Sequence, residues 1–285
     1  MINLSELLPD SEIASTDPEN LPEVKAPIWF GAGRQVGQRE YALQVPGVGS
    51  YYAVDGNRVL FHAEPGADTK WVRLYLNSQV LVALLHQRKI INFHASSFVY
   101  EGLGVMVLGE TGAGKSSLTL AFALRNGGFL TDDITPVIFR ESVPCIMPLN
   151  RKVKIRKDTA EKLGINSSLL SDAESGTGKL YFRPETAHVA AHPLHLIIRI
   201  AADKTKRIEF SKPPSAERFS LLRSEICSWE ILAGMPETEK AYLDQLVRIV
   251  EKTAFIRADR PPETELNDFY EAVREEIMDH GLKLQ

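Results

Sequence analysis

The chain contains little cysteine: Cys145 and Cys227 are the only two in 285 residues, and no C-x-x-C spacing occurs. The pattern fits reduced thiols in the cytoplasm better than a disulfide framework. Long apolar runs are also missing. None approaches the ~20 residues that a membrane-spanning helix needs, so no membrane partner is expected. In place of the basic start and apolar core of a signal peptide, the first 25 residues carry Glu6, Asp10, Glu12, Asp17, Glu19 and Glu23, and secretion is not expected. Positive charge is not in excess. The net charge is −4, which argues against a general nucleic-acid binder. The guanine-specifying Asn-Lys-x-Asp pattern is absent, which counts against a GTPase switch.

Apolar residues make up 44% of the chain, enough to bury one large core or two smaller ones. The most informative segment is Gly109-Glu110-Thr111-Gly112-Ala113-Gly114-Lys115-Ser116-Ser117, which fits the phosphate-binding pattern G-x-x-x-x-G-K-[ST]. Its context fits as well. Val105–Leu108 reads as a short buried strand, and Ser117–Leu124 has apolar residues at helical spacing, so the order is strand, loop, helix. Glycines at 109, 112 and 114 allow successive backbone N–H groups to curl into an anion site at a helix N-terminus. Lys115 then reaches the β- and γ-phosphates, and the Ser116 hydroxyl holds Mg²⁺.

The acids that follow narrow the chemistry. Arg125-Asn126-Gly127-Gly128 reads as a glycine-ended helix, and Phe129-Leu130-Thr131 as a strand ending in Asp132-Asp133. From Lys115 to Asp132 is 132 − 115 = 17 residues, enough for one helix and a tight return that brings both carboxylates beside the phosphates. An adjacent pair this early suits a kinase, in which one acid helps hold Mg²⁺ and the other accepts a proton from the attacking hydroxyl. An Asp-Asp turn at a strand end is the plainer alternative.

Three regions separate by pattern. Residues 1–26 are acidic and proline-bearing, and read as an extended or partly ordered arm. From Tyr41 to His62, short alternating runs broken at Pro-Gly and Asp-Gly predict a small antiparallel sheet, with Asp55-Gly56-Asn57 as its clearest hairpin. Trp71–Gln87 reads as a helix leading into the strand that carries His94. Further on, Asp158–Leu163 reads as a helix, Ser171–Lys179 as a loop that either closes over substrate or merely connects, and Leu194–Ile200 as a central strand with Arg207–Phe210 as its neighbour. Helices are predicted near 214–232, 238–251 and 264–280, with a strand at Ala254–Arg257. His188, His192 and His195 are spaced as a helical zinc site would be, but Pro193 and the strand-like run argue against one. Trp71 and Trp229 read as core.

His94-Ala95-Ser96-Ser97, the run Gly102–Gly109, the loop, and Leu130-Thr131-Asp132-Asp133 together resemble the catalytic core of HPr kinase/phosphorylase and its relatives. Among those relatives are kinases of peptide-biosynthesis clusters that phosphorylate a serine of a precursor peptide. Pro148–Ile155 and Ala160–Gly164 are similar to patterns of the smaller members, and the match spans roughly residues 90–200. The resemblance implies an α/β fold: a P-loop kinase core of the HPr kinase / PEP carboxykinase-like type with a mixed sheet over 89–285, preceded by an acidic arm and a small β-rich region over 1–88. It implies Lys115 and the loop from Gly109 to Ser117 on ATP, Ser116 with Asp133 on Mg²⁺, Asp132 as the base, and His94 close to Asp132. Lys154, Lys179 and Arg183 are candidate transition-state cations. The glycine-rich signature that follows the aspartates in the HPr enzymes is not recognisable between Ile134 and Asp172, so no phosphorylase activity is expected. Their amino-terminal domain is not recognisable in 1–90, so HPr is not the expected acceptor. The expectation is an ATP- and Mg²⁺-dependent kinase acting on a hydroxyl, a serine of a peptide or small protein, with a homo-oligomer left open. The alternatives are a metabolite kinase, disfavoured by the 108 residues before the loop, and a regulatory nucleotide-binding module.

Overall fold

The computed structural model describes residues 4–149, 152–173, 178–185, 190–203 and 205–281. The protein is mixed α/β with several mixed sheets, and it divides into two compact units, Met1–Asn92 with Ile226–Val247 and Phe93–Glu225 with Arg248–Gln285. Among the described residues no helix is long and apolar enough to cross a membrane.

In the first unit, α1 (Leu4–Leu7) is followed by strands β1 (Glu12–Ser15), β2 (Trp29–Gly31), β3 (Arg34–Val36), β4 (Glu40–Val45), β5 (Gly49–Val54) and β6 (Arg58–Ala63). They form one sheet ordered β1-β6-β5-β4-β3-β2. The expected antiparallel hairpins form its centre, and Asp55 and Gly56 take the left-handed backbone that the β5–β6 turn needs, at φ 58 and 75. The acidic arm is more engaged than its pattern indicates. It contributes β1, parallel to β6, and buries Leu4, Leu7, Leu8 and Val24. Leu4, Leu7 and Leu8 fall at helical spacing, but over too few residues to stand out from the acidic arm around them.

The helix predicted over Trp71–Gln87 begins earlier, at Thr69, because the Asp68 carboxylate accepts the Lys70 N–H at 2.8 Å. It runs as α2 (Thr69–Tyr75), a π-helical stretch (Leu76–Val80) and α3 (Leu81–Gln87). His86, fully buried, places Nδ1 2.8 Å from the Tyr242 hydroxyl and Nε2 3.0 Å from the Cys227 carbonyl, so the segment 226–247 is tied into this unit. Trp229 is 40% exposed, a departure from its expected place in the core.

After β7 (Ile91–Phe93), where the chain passes into the second unit, come β8 (Ser96–Tyr100), β9 (Leu103–Leu108), α4 (Lys115–Leu124), β10 (Gly128–Thr131), β11 (Thr135–Arg140), β12 (Val143–Ile146), β13 (Val153–Arg156) and α5 (Lys157–Lys162). Then follow β14 (Ser171–Asp172), β15 (Lys179–Phe182), β16 (His192–Ala202), β17 (Glu209–Ser211), α6 (Ser215–Ser224), α7 (Pro236–Lys252), β18 (Ala254–Arg260) and α8 (Leu266–Gly281). The sheet that carries the loop runs β17-β18-β16-β9-β8-β10, with β18, β16 and β9 parallel. Two expectations are corrected here. The Arg207–Phe210 segment supplies β17, which pairs with β18, so β18 separates it from β16. The left-handed residue ending α4 is Asn126, at φ 68, rather than a glycine.

Alternation along the strands creates the core. Val105 and Val107 of β9 and Leu196, Ile198 and Ile200 of β16 share one face with Leu118, Ala121 and Phe122 of α4 and with Phe269, Val273 and Ile277 of α8. Phe122 is its centre, with ring centroids 4.3 Å from Phe98, 5.1 Å from Tyr100 and 4.6 Å from Tyr270. This packing holds the start of α4, and so the loop before it, against the sheet.

Candidate active site

The loop joins β9 to α4 at the carboxyl ends of the parallel strands, the place where open α/β sheets bind ligands. Gly109 has φ 146, and a Cβ there would lie 2.4 Å from the Ile200 carbonyl oxygen, so only glycine fits so close to β16. Gly114, at φ 102, turns the chain into α4. Glu110, Thr111 and Gly112 are exposed, whereas Ala113 and Lys115 are buried. Lys115 Nζ folds back over the loop and donates to Gly109 O at 2.6 Å and to Glu110 O at 3.4 Å. From the other side Arg260 Nη2 donates to Ala113 O at 3.1 Å, fastening the loop to the end of β18.

Asp132 and Asp133 follow β10 and stand beside the loop, but their carboxylates diverge. Asp133 takes a left-handed backbone, φ 71, which aspartate tolerates better than most residues. As a result Asp132, 5% exposed, accepts a hydrogen bond from Ser116 Oγ at 2.8 Å, while Asp133 Oδ1 lies 3.4 Å from His94 Nδ1. The pairing expected from sequence is thus exchanged: Asp132 stands with Ser116, and Asp133 with His94. The order of the two residues along the chain could not say which way each points.

His94 sits in the bend between β7 and β8, and its backbone N–H donates to the Glu225 carbonyl at 2.6 Å. Burial, then the Lys115 ammonium, lowers its imidazole below the usual histidine value, against the opposing pull of Asp133. The ring is therefore neutral at pH 7 and able to orient a carboxylate or take a proton. Buried hydroxyls fix this corner. Ser97 Oγ and Thr135 Oγ1 each lie 2.5 Å from Thr131 Oγ1, and Thr135 Oγ1 donates to Ala95 O at 3.0 Å. The chain of contacts links the residue before Asp132 to the residue after His94. Ser96 Oγ and Thr119 Oγ1, 2.7 Å apart, similarly tie β8 to α4.

Three further residues gather at the loop. Glu225, beyond α6, lies close enough to the Gly109 amide, Lys115 and Arg199 to feel all three; burial raises its carboxyl above the ordinary carboxylate value, while the Lys115 and Arg199 charges oppose that rise. Arg199 is visible in the sequence as a lone cation inside the apolar run Leu194–Ile200, whereas Glu225 and Arg260 carry no local signal. Lys154, Lys179 and Arg183 lie on or directly after the antiparallel pair β13 and β15, with Lys154 Nζ 5.5 Å from the Tyr181 ring centroid. The buried face of that pair packs against Leu120 and Ala123 of α4.

Among the described residues no three His, Cys, Asp or Glu side chains cluster as metal ligands. Ser116 and Asp132 nevertheless supply two adjacent hard oxygens, which suits Mg²⁺, an ion that completes its shell with water and substrate phosphates. His192 and His195 lie on β16, where His195 Nδ1 accepts the Gly104 N–H at 3.0 Å. His188, Asn150, Arg151 and the 174–177 part of the Ser171–Lys179 loop fall outside the described residues.

No protein-family model matches the chain. No curated protein matches it either. Among solved structures, the Hpr(Ser) kinase/phosphatase from Coxiella burnetii is similar over 68% of this chain and 97% of its own, with 14% identity and a TM-score of 0.37.

Proposed function

We propose that the chain is an ATP- and Mg²⁺-dependent kinase that transfers the γ-phosphoryl group to a hydroxyl, a serine of a peptide or small protein, on a P-loop core of the HPr kinase type. The observation that carries this reading is the divergence of the two aspartates: one is committed to the loop serine, and the other stands with a neutral histidine at an open position. A switch or scaffold has use for the first arrangement only.

The loop amides and Lys115 bind the polyphosphate, with the amides ordered by the positive-φ glycines at 109, 112 and 114. Ser116 and Asp132 hold Mg²⁺, which neutralises phosphate charge when bound. Asp133 accepts the proton of the attacking hydroxyl, and His94 orients its carboxylate. Asp133 and His94 have side chains 56% and 42% exposed, which leaves the acceptor side open to a group presented from outside. Catalysis of this kind consists of positioning and charge neutralisation, with no covalent intermediate on the protein.

The test is incubation with γ-labelled ATP, Mg²⁺ and separate pools of peptides, proteins and metabolites from the source cell, beside Lys115→Ala and Asp133→Asn. Label on a peptide or protein serine, lost in both variants, is the expected result. Label confined to metabolites would move the acceptor class to small molecules, and nucleotide binding with no label in any pool would reduce the protein to a regulatory module.

A further inference from the structure

In the antiparallel pair of β13 and β15, Val153 stands opposite Phe182, Lys154 opposite Tyr181, Ile155 opposite Leu180 and Arg156 opposite Lys179. Directly opposed residues share a face, so alternation along the strands divides the pair into two unlike surfaces. Val153, Ile155 and Phe182 pack with Leu120 and Ala123 of α4 and with Phe129 of β10. Lys154, Arg156, Lys179 and Tyr181 occupy the other face, and Lys152 and Arg183 flank it at one end. Arg156, Lys179 and Arg183 are exposed. Every ionisable group at these positions except the Tyr181 phenol is a cation.

Residues 152–183 hold seven Lys and Arg against four Asp and Glu, a net +3 within a chain of net −4. The face is therefore a local island of positive charge on a protein that as a whole repels long polyanions. It is poorly suited to single-stranded nucleic acid, which relies on several open aromatic platforms. Its one ring, Tyr181, already has the Lys154 ammonium 5.5 Å from its centroid. A short run of carboxylates fits the charge better. The face also has a defined place relative to the chemistry. Phe129, against which the pair packs, is four residues before Asp133, at most about 13 Å of extended chain, and the packed layer adds about 10 Å. An extended peptide covers that distance in about seven residues.

We propose that the outer face of β13 and β15 docks an acidic segment of the acceptor, a run of Asp or Glu within about seven residues of the phosphorylated serine. The proposal rests on the kinase reading and names its substrate class. In this role Lys154, Lys179 and Arg183 meet carboxylates of the acceptor, and the phosphoryl group in transfer is left to the loop. Exposed ion pairs are individually weak and screened by salt, so the face acts through several of them together and by drawing the acidic segment into encounter.

The experiment uses the full chain and fluorescent peptides that differ only in a run of Glu, Gln or Lys placed about five residues from one serine, with a single-stranded oligonucleotide beside them. Anisotropy titrations are run at saturating ADP·Mg²⁺, which keeps carboxylates off the phosphate loop, on wild type and on Arg156→Glu/Lys179→Glu. The Glu peptide is expected to bind wild type about tenfold more tightly than the Gln peptide, and to lose that margin both at about 0.5 M salt and in the double variant. Circular dichroism melting checks folding, and if the double variant does not fold, Arg156→Gln decides by a smaller loss of the same sign. Equal binding of the Glu and Gln peptides, or undiminished Glu-peptide affinity in the variant, would overturn the proposal. Tighter binding of the oligonucleotide than of the Glu peptide would overturn it in favour of nucleic acid. Label transfer from γ-labelled ATP separates this proposal from the reading beneath it. Salt-sensitive binding of the Glu peptide with no serine labelled would keep the docking face and remove the kinase, whereas equal kcat/KM for the Glu and Gln peptides would do the reverse.

Discussion

Exchanging the carboxylate of Asp133 for its isosteric amide separates the two aspartates. Asparagine tolerates the left-handed backbone at this position, φ 71, so Asp133→Asn removes the proposed base with little other disturbance. An amide cannot take up the hydroxyl proton, and losing a general base costs about 10²–10⁴ in rate. At 1.36 kcal/mol per tenfold, that is about 3–5 kcal/mol of transition-state stabilisation. Asp132→Asn acts elsewhere. It removes the charge that accepts the Ser116 hydroxyl at 2.8 Å from a carboxylate only 5% exposed. A buried hydrogen bond to a charged group is worth about 1.5–3 kcal/mol, so Mg²⁺-nucleotide affinity should fall about 10- to 100-fold. Calorimetric titration of ATP with Mg²⁺ and with EDTA, run beside label transfer, reads both effects. The expected pattern is Asp133→Asn with near-normal Mg²⁺·ATP affinity and no transfer, and Asp132→Asn with affinity lost only when Mg²⁺ is present. Wild-type transfer by Asp133→Asn, together with an Asp132→Asn variant that binds Mg²⁺·ATP normally and transfers nothing, would refute the geometry and return the base to Asp132.

Three further outcomes are expected. Phe122→Ala empties the space shared with Phe98, Tyr100 and Tyr270 and should cost about 3–5 kcal/mol, read as a lower urea midpoint with the slope unchanged. Gly109→Ala puts a Cβ 2.4 Å from the Ile200 carbonyl oxygen, so β9 and β16 must part. Nucleotide binding and thermal midpoint should fall together, and retention of both would show that the loop has slack. His86 is held down from 6.5 to about 4 by burial. Its unfolded form therefore binds the extra proton, and its contribution to stability is full above about pH 6.5 and lost as pH falls toward 4, about 3 kcal/mol in all. Urea unfolding between pH 7 and 4.5 should show this slope, and His86→Gln should flatten it.

The glycine-rich turn between β9 and α4, the helix after it and the return to the two aspartates were legible along the chain because each depends on neighbours within one or two turns. Glycine spacing, helical periodicity and a 17-residue return to Asp132 are short-range facts. The β5–β6 hairpin and the helical run ending at Gln87 were readable for the same reason. Features that require distant segments to meet were not. The arm strand β1 lies parallel to β6, and Ile226–Val247 belongs with residues 1–92; neither leaves a local mark.

The same division runs through the site. The candidates for phosphate chemistry follow from the order of amino acids, since the glycine spacing, the lysine and the helix after them are all local features. How those residues are paired does not. One left-handed residue, Asp133, turns two adjacent carboxylates toward different partners, and that angle depends on buried hydroxyls drawn from β8, β10 and β11. Arg199, Glu225 and Arg260 reach the loop only because β16, α6 and β18 are folded beside β9, from 90 to 151 positions further along the chain (199 − 109 and 260 − 109). Local sequence encodes local geometry, whereas a charge cluster is the product of the packing that closes those distances.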